Sequence, residues 1–245
     1  MKQYGLIGYP LTHSFSKNYF TEKFEKENIL DCSYDLFDLE NINEFPEILK
    51  NNPNLRGLNI TIPHKESILN FLTEIDTTAK EIGAVNTIKI FDQNNIKGYN
   101  SDYYGFKKSL KPFLDINHER ALIFGTGGAS KTVKYALNEL NIECLLVSRN
   151  PTNKKEIAYN DINEYVIKHH QLIINTTPVG MFPNIENLLD FDYESLGKKH
   201  LLYDLIYNPS ETQFLRKGKQ KGCITLNGIE MLKLQAEKSW EIWNS

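Results

Sequence analysis

Cysteine is scarce in this chain, occurring only at positions 32, 144 and 223 of 245 residues. An odd number of cysteines without CxxC spacing argues against a disulfide framework and against a structural zinc site. The six histidines show no HExxH or similar ligand spacing, so we expect no bound metal. With no sign of disulfides, the cytoplasm is the default location.

Long apolar runs and a net basic charge are also missing. No stretch of about 18 apolar residues occurs, and the N-terminus lacks the apolar segment of a signal peptide, so no membrane association is expected. The formal net charge is -3 and supplies no basic field for nucleic acid. The basic run "RKGKQKG" at 216–222 is interpreted as a solvated helix end.

Strand-like and helix-like segments alternate along the chain in two series. The first series runs from "YGLIGY" to "AVNTIKIF", and the second runs from "RALIFG" to "HLLYDLIY". Alternation of this kind builds parallel sheets with helices on both faces. At roughly 150 residues per domain, the length fits two modest domains, with a boundary expected near residues 102–118.

Four further segments carry specific expectations. "KESILNFL" at 65–72 predicts a helix that follows Pro63, and "DQNNIKGYNSD" at 92–102 is rich in turn residues. The next segment, "YYGFKKSLKPF", predicts a helix that ends near Pro112. The last segment, "GIEMLKLQAEKSWEIWN", predicts a helix that packs on the core.

The stretch "ALIFGTGGASKTVKYAL" predicts a dinucleotide-binding loop between a strand and a helix. Gly125 and Gly127 follow the strand directly, where glycine lets the backbone approach a pyrophosphate at a helix N-terminus. The third glycine of the general fingerprint is replaced by Ser130. A plain strand-to-helix turn is the competing interpretation.

The next strand ends in "LLVSRN", without the acidic residue that usually binds the ribose 2′-hydroxyl of NAD. Arg149 stands there instead, followed by Asn150, Lys154 and Lys155. A guanidinium binds a 2′-phosphate in bidentate fashion, so this pattern favours NADP. A solvated charge at a strand end is the alternative.

Several polar residues stand at the ends of predicted elements or inside predicted strands. Lys65 would meet the positive end of a helix dipole, a placement suited to a general base or tolerated at an exposed position. Asp102 precedes a helix and could simply cap it. Asn59, Thr61 and Asn86 interrupt apolar strands, where each needs a hydrogen-bond partner or marks a strand end.

These signals occur together in one order along the chain. The motifs are "GYPLTHSFSKNYF", "LNITIPHK", "GAVNTI", "GYNSDYYGF", "GTGGAS", "VSRN", "INTTPVGM", "YDLIYNP" and "NGIEMLKLQA". Over nearly its whole length the chain resembles the shikimate dehydrogenase family, which acts in the shikimate pathway of aromatic amino-acid (chorismate) biosynthesis.

The resemblance implies an α/β fold with two domains and a cleft between them. Residues 1–102 would form the substrate domain, with the C-terminal helix 229–245 packing back onto it, and residues 103–228 would form a Rossmann-like NADP-binding domain. The implied reaction is the reversible NADPH-dependent reduction of 3-dehydroshikimate to shikimate. The protein would be a monomer or a homodimer without a nucleic-acid partner.

The resemblance also implies roles for individual residues. Lys65 and Asp102 would be catalytic. The substrate would be bound by Ser14, Ser16, Asn59, Thr61, Asn86, Tyr207 and Gln235. The cofactor would be bound by Gly125, Thr126, Gly127, Gly128, Ala129, Ser130, Arg149, Asn150, Thr176, Leu205 and Gly228.

Two other functions fit the same motifs, and a third option, a redox-linked module that binds only the dinucleotide, predicts no shikimate binding. A quinate or broad quinate/shikimate dehydrogenase would share the fold and differ in the room beside Ser14 and Ser16. A non-catalytic sensor would keep the ligand site without catalysis, and retention of both Lys65 and Asp102 argues against it. The chain also departs from the family at the end of the cofactor strand, reading Ser-Arg-Asn at 148–150 where Asn-Arg-Thr is common.

Overall fold

The computed structural model describes residues 1–11, 14–92 and 95–245. The chain divides into two compact units, Met1–Asp102 with Ala236–Ser245, and Tyr103–Gln235. In the described residues each unit contains one six-stranded sheet. Positions 12–13 of the motif "GYPLTHSFSKNYF" and positions 93–94 of the turn-rich segment lie outside the described residues.

The first unit is a mixed sheet with helices. Its strands are β1 (Lys2–Gly8), β2 (Cys32–Asp38), β3 (Leu55–Ile60), β4 (Glu74–Ile75), β5 (Thr87–Asp92) and β6 (Asn95–Tyr99). Its helices are α1 (Phe15–Lys26), α2 (Phe45–Asn51) and α3 (Thr77–Ile82), and α4 (Ser101–Leu110) begins at its end. The strand order is β2-β1-β3-β5-β6-β4. Because β5 runs antiparallel to both β3 and β6, the first sheet is mixed, and not parallel as the strand–helix alternation indicated.

Two local predictions in this unit are wrong. The helix predicted over 65–72 is only a five-residue 3-10 helix, Ser67–Phe71, preceded by turns. The turn-rich segment contains strand β6, whose pairing with β5 and β4 overrides its Asn and Gly content.

The core of the first unit lies on both faces of this sheet. Ile7, Leu58 and Ile88 are fully buried between the sheet and its covering helices. On the other face of the sheet the ring of Trp243 stacks on the ring of Tyr4, with ring centroids 4.7 Å apart. The Trp243 indole nitrogen also donates to the Ile88 carbonyl at 2.9 Å, so the last residues of the chain are tied to the sheet.

The second unit holds an all-parallel sheet. Its strands are β7 (Arg120–Phe124), β8 (Glu143–Ser148), β9 (Glu156–Ala158), β10 (Leu172–Asn175), β11 (Leu201–Asp204) and β12 (Ile224–Leu226). Its helices are α5 (Gly128–Asn138), α6 (Glu164–His169) and α7 (Gln213–Gln220), and α8 (Ile229–Asn244) starts within it. The order β12-β11-β10-β7-β8-β9 brings all carboxyl strand ends to one edge. In such sheets ligands bind beyond that edge.

The central strands of the second sheet are apolar over most of their length. Residues 121–124, 172–174 and 201–203 are fully buried, as expected for strands covered on both faces. The predicted strand–helix alternation is confirmed in this unit. Within the parts of the chain that the structure describes, no helix has the length and apolar character needed to cross a membrane.

Candidate active site

Lys65 and Asp102 form an ion pair in the first unit. Lys65 Nζ lies 2.6 Å from Asp102 Oδ2, and the two side chains are 24% and 15% exposed. Asp102 lies inside the first turn of α4, so its carboxylate is directed to Lys65 rather than acting as the helix cap. Lys65 lies in a turn and does not begin an α-helix, so the helix-dipole argument for this lysine is wrong.

The turn that carries Lys65 is hydrogen-bonded within itself and to the segments that precede β5 and follow β2. The Lys65 carbonyl accepts a hydrogen bond from Val85 N at 2.8 Å, and Ile68 N donates to the His64 carbonyl at 3.0 Å. His64 is buried, and one of its ring nitrogens lies 2.5 Å from the Leu39 carbonyl. The ammonium group is therefore held beside Asp102 by backbone anchors on two sides.

Asn59 and Asn86 belong to a buried network of polar side chains. Asn59 accepts from the Tyr34 hydroxyl at 2.9 Å and donates to Ser239 Oγ at 2.9 Å. Asn86 donates to Ser101 Oγ at 3.0 Å and accepts from Ser101 N at 2.6 Å. Buried amides need such partners, and these partners fix both amides in orientation.

Ser239 and Thr87 join the two asparagines. Ser239 Oγ lies 2.8 Å from Thr87 Oγ1 and 3.1 Å from Ser101 Oγ. Thr87 Oγ1 lies 2.9 Å from Ser101 Oγ. Since Ser101 precedes Asp102 at the start of α4, the network also positions the first turn that carries this carboxylate.

The remaining predicted substrate residues of the first unit lie at element ends. Ser14 caps α1 by accepting from Lys17 N at 3.3 Å. Ser16 is buried and hydrogen-bonds the Tyr34 hydroxyl. Burial raises the pKa of this hydroxyl, and the hydrogen bond with Ser16 opposes that rise. Thr61 is half-buried just after β3, and its N–H donates to the Ile7 carbonyl at 2.8 Å.

The glycine loop of the second unit has the geometry of a dinucleotide cradle. Gly125 has a φ of 111°, in the region that favours glycine, and a Cβ there would lie 2.6 Å from Thr176 Oγ1. At Gly127 a Cβ would meet nothing within 4 Å among the described residues, so the backbone faces open space. Among the described residues no side chain caps the N-terminus of α5, which begins at Gly128, and the first N–H groups of such a helix have the chemistry to bind phosphate oxygens.

The other loop residues complete this turn. Ser130 is buried, and its hydroxyl donates to the Gly127 carbonyl at 2.7 Å. Ala129 is half-buried in the first turn of α5, while Thr126 is exposed beside it. The residues Gly125–Ser130 therefore form one continuous strand-to-helix turn that fits a pyrophosphate.

Thr176, Leu205 and Gly228 lie at the carboxyl edge of the second sheet. The Thr176 hydroxyl donates to the Phe124 carbonyl at 2.6 Å, which places it beside Gly125. A Cβ on Gly228 would overlap the Leu205 carbonyl oxygen, and Gly228 N donates to the Ile206 carbonyl at 3.0 Å. The sheet thus brings these predicted cofactor residues to one edge.

Tyr207 and Gln235 are also in the second unit. Tyr207 is 38% exposed after β11, and burial raises the pKa of its hydroxyl. Gln235 is buried in α8, where its amide donates to the Leu232 carbonyl at 2.9 Å.

Arg149 and Asn150 are exposed directly after β8, at the same carboxyl edge. Lys154 and Lys155 do not join them. The Lys155 carbonyl accepts from Leu146 N at 3.0 Å, so these lysines lie beside the middle of β8. With Arg120 they line a separate cavity of about 430 Å³. Of the basic residues named from the sequence, Arg149 is therefore the one suited to a 2′-phosphate.

Several residues of the site region were missed by sequence reasoning. They are Tyr34, Thr87, Ser101 and Ser239 in the first unit and Asn175, Asp204 and Thr212 in the second. Asn175 and Asp204 end apolar strands, the same signal that singled out Asn59 and Asn86. Ser239 lacked any local signal, because its partners lie more than 130 residues away. Within the described residues no group of three or more His, Cys, Asp or Glu could hold a metal ion.

Comparisons with known proteins agree on one family. Residues 6–88 match the model of the shikimate dehydrogenase substrate binding domain. The chain is 38% identical to shikimate dehydrogenase (NADP(+)) of Methanococcus aeolicus, covering 99% of this chain and 91% of that protein.

Solved structures are similar across both units. Shikimate 5-dehydrogenase from Thermus thermophilus, in complex with NADP(H) and shikimate, matches with a TM-score of 0.86 at 29% identity and covers 99% of this chain and 93% of that chain. Quinate dehydrogenase from Corynebacterium glutamicum, in complex with NAD, matches with a TM-score of 0.88 at 26% identity over 99% and 93%.

Proposed function

Because the chain belongs to the shikimate dehydrogenase family, we propose that it catalyses the reversible NADPH-dependent reduction of 3-dehydroshikimate to shikimate. It is an oxidoreductase acting on a CH–OH group and serves aromatic amino-acid biosynthesis. The observation that carries this proposal is the Lys65–Asp102 pair at 2.6 Å, in a unit whose buried amides have the chemistry to bind hydroxyl groups.

Each unit has a proposed task. Residues 1–102, with the C-terminal helix 229–245, bind the substrate, and residues 103–228 bind NADP. Support for the first assignment comes from the side-chain network around Asn59 and Asn86. Support for the second comes from the glycine turn before α5.

Substrate binding is assigned to polar side chains of suitable chemistry. Ser14 and Ser16 offer hydroxyl donors to the substrate carboxylate. The ring hydroxyls are assigned to Asn59, Thr61, Asn86, Tyr207 and Gln235. The two buried amides are held by other residues, so their remaining hydrogen-bonding capacity is presented in a fixed direction, which lowers the entropy lost on binding.

Lys65 and Asp102 are assigned to proton transfer to and from the substrate oxygen. In the reduction, the carbonyl carbon of the substrate gains a hydride, and its oxygen takes a proton from the Lys65 ammonium group. In the oxidation, the Lys65 amine removes the proton from the hydroxyl as the carbon loses its hydride. Asp102 accepts from Lys65 and so orients the lysine in both directions.

NADP is the cofactor, and when bound as NADPH it supplies the hydride. Gly125–Ser130 hold its pyrophosphate on the α5 N-terminus. Arg149 and Asn150 bind the 2′-phosphate, and Thr176, Leu205 and Gly228 lie against the nicotinamide half. The open space at Gly127 and the uncapped helix start support this fit.

The proposal also covers the partners, oligomeric state and location of the protein. The partners are the small-molecule substrate and cofactor, with the protein a monomer or homodimer in the cytoplasm. The three free thiols, Cys32, Cys144 and Cys223, support a reducing compartment.

The test is absorbance of reduced nicotinamide in four reactions that pair shikimate or quinate with NADP or NAD. We expect the fastest reduction with shikimate and NADP. Arg149→Gln should weaken NADP binding about tenfold or more through loss of a charge-assisted contact, while NAD binding stays unchanged.

The alternatives give different results. A faster rate with quinate would replace the assignment with the quinate enzyme. If folded protein binds NADPH but shows no rate in any reaction, the remaining hypothesis is a non-catalytic, ligand-sensing relative. Equal loss of NADP and NAD binding in Arg149→Gln would remove this residue from the 2′-phosphate site.

A further inference from the structure

Asp204 is a buried carboxylate that the proposed chemistry does not use. It ends β11, is fully buried, and has no ion pair with a Lys, Arg or His among the described residues. Burying an ionisable group without a cationic partner costs stability. A role beyond packing would account for its presence at this position.

The carboxylate binds three donors from different parts of the unit. Oδ1 accepts from Asn175 Nδ2 at 3.1 Å and from Ile206 N at 3.0 Å. Oδ2 accepts from the Thr212 hydroxyl at 2.6 Å. Its acceptor sites therefore hold β10, the segment after β11 and the start of α7 in one arrangement.

Asn175 extends this arrangement to the loop after β10. Its Oδ1 accepts from the N–H and the hydroxyl of Thr177 at 2.9 and 2.7 Å. Its Nδ2 also donates to the Val179 carbonyl at 3.2 Å. In register, Asn175 lies opposite Asp204 across neighbouring strands.

Two loops that carry proposed ligand contacts are thus fastened to one carboxylate. Thr176 stands between Asn175 and Thr177 in the first loop, and Leu205 and Tyr207 flank Ile206 in the second. We propose that Asp204 is a positioning residue, which through Asn175, Ile206 N and Thr212 sets the placement of Thr176, Leu205 and Tyr207 for the cofactor and substrate. This inference rests on the proposed function.

The test measures ligand binding as well as turnover. Asp204→Ala removes all three acceptor contacts and leaves buried donors unpaired, so the Kd for NADPH and the KM for shikimate should each rise about tenfold or more. NADPH fluorescence gives the Kd without any reaction. Asp204→Asn should stay within about threefold, because its amide oxygen can serve Asn175 and Ile206 while its nitrogen donates to the Thr212 hydroxyl.

Tyr203→Phe is the matched control. Tyr203 precedes Asp204 in β11 and is fully buried, and Tyr203→Phe removes the 2.7 Å contact of its hydroxyl to Ser109 Oγ. It should lower stability with less than about a twofold change in either ligand constant. An equal shift in Tyr203→Phe would make the Asp204 effect a general loss of stability and overturn the inference.

A smaller pair of variants covers the case in which Asp204→Ala does not fold. Thr212→Val removes one donor to Asp204, and Thr212→Ser retains it. We expect Thr212→Val to raise the NADPH Kd about threefold to fivefold, with Thr212→Ser near wild type. Unchanged constants in folded Asp204→Ala, or in Thr212→Val, overturn the inference while wild-type turnover keeps the proposed function. A wild-type protein without NADPH binding or turnover overturns the proposed function itself.

Discussion

The candidate sites of the two units are built from different chemical groups. In the first unit the polar groups are side chains, joined in a buried network through Ser239, Thr87 and Ser101. In the second unit the cradle is mostly backbone, built by Gly125 at positive φ and by an uncapped helix start. Side chains select hydroxyl patterns one by one, whereas a backbone cradle recognises the phosphate common to all dinucleotides.

This difference predicts where single substitutions act. A change of side chain in the first unit should alter one step, either proton transfer or substrate binding. In the second unit, apart from the loss of the Arg149 charge proposed for the 2′-phosphate, only a substitution that moves the backbone or that removes the Asp204 contacts should have a large effect. Each prediction below compares the two kinds of site.

The largest effect is expected at Lys65. Lys65→Ala removes the group proposed to transfer the proton, so kcat should fall by about 10²–10⁴-fold. Asp102→Asn keeps the size of the side chain but removes the charge facing Lys65 Nζ, so it should lose less. Steady-state rates, with shikimate and NADPH Kd values measured in parallel, check both.

The Kd values supply the control for this prediction. The proposed NADPH site lies in the second unit, so the Kd for NADPH should stay unchanged in Lys65→Ala. A variant that keeps nearly full kcat would remove Lys65 from catalysis.

The second effect is a pH dependence of stability from Asp204. Burial raises the pKa of the Asp204 carboxyl from 3.8 to about 6. The contribution of the protonated Asp204 carboxyl to the free energy of unfolding is therefore fully present below about pH 4. It is lost as pH rises through about 6. The two pKa values correspond to about 3 kcal/mol between these limits.

Asp204→Asn isolates this contribution, since the amide does not titrate. The free energy of unfolding of the wild type, minus that of Asp204→Asn, should fall as pH rises from 4 to 7 in urea denaturation. Burial, and then the charge of Asp204, raise the pKa of the Tyr193 hydroxyl, so Tyr193 stays neutral in this window. A constant difference across the window would contradict the prediction.

The third prediction tests whether the backbone conformation at Gly125 matters for stability and cofactor binding. Gly125→Ala places a Cβ 2.6 Å from Thr176 Oγ1 at a φ of 111°, so it should lower the unfolding free energy by about 2 kcal/mol and weaken NADPH binding. At Gly197 a Cβ meets nothing within 4 Å among the described residues. Gly197→Ala should therefore change stability by less than about 0.5 kcal/mol, and equal losses in both variants would refute the backbone argument.

The smallest effect is expected in the polar network of the first unit. Ser239→Ala removes contacts to Asn59, Thr87 and Ser101, so the KM for shikimate should rise about fivefold, equal to roughly 1 kcal/mol. Ser109→Ala in the second unit removes a comparable buried contact to Tyr203 and should leave this KM unchanged. A KM that stays constant in Ser239→Ala would show that the network does not position the amides.

Patterns local to a few residues predicted the second unit well. The strand, glycine turn and helix around Gly125 lie within about two residues of their predicted places, because apolar strands and turn glycines act locally. The same logic failed at 65–72, where a turn stands in place of the predicted helix start at Lys65. It also failed at β6, where pairing with two strands outweighed the Asn and Gly content of Asn95–Tyr99.

Contacts between distant residues could not be predicted in this way. Ser239 reaches Asn59 across 180 positions, and no local pattern marks a serine in a helix for such a role. Asp204 and Asn175 could have been noticed as polar residues that end buried strands. Their mutual contact depends on the register of β10 and β11, which composition does not specify.

The most direct test of the account is consumption of NADPH by the purified protein with 3-dehydroshikimate, while shikimate formation is followed in the same samples. We predict rapid consumption with one shikimate formed per NADPH, and its loss in Lys65→Ala at unchanged NADPH affinity. No consumption by wild-type protein that binds NADPH would contradict the proposed activity and leave the ion pair of Lys65 and Asp102 without its catalytic role.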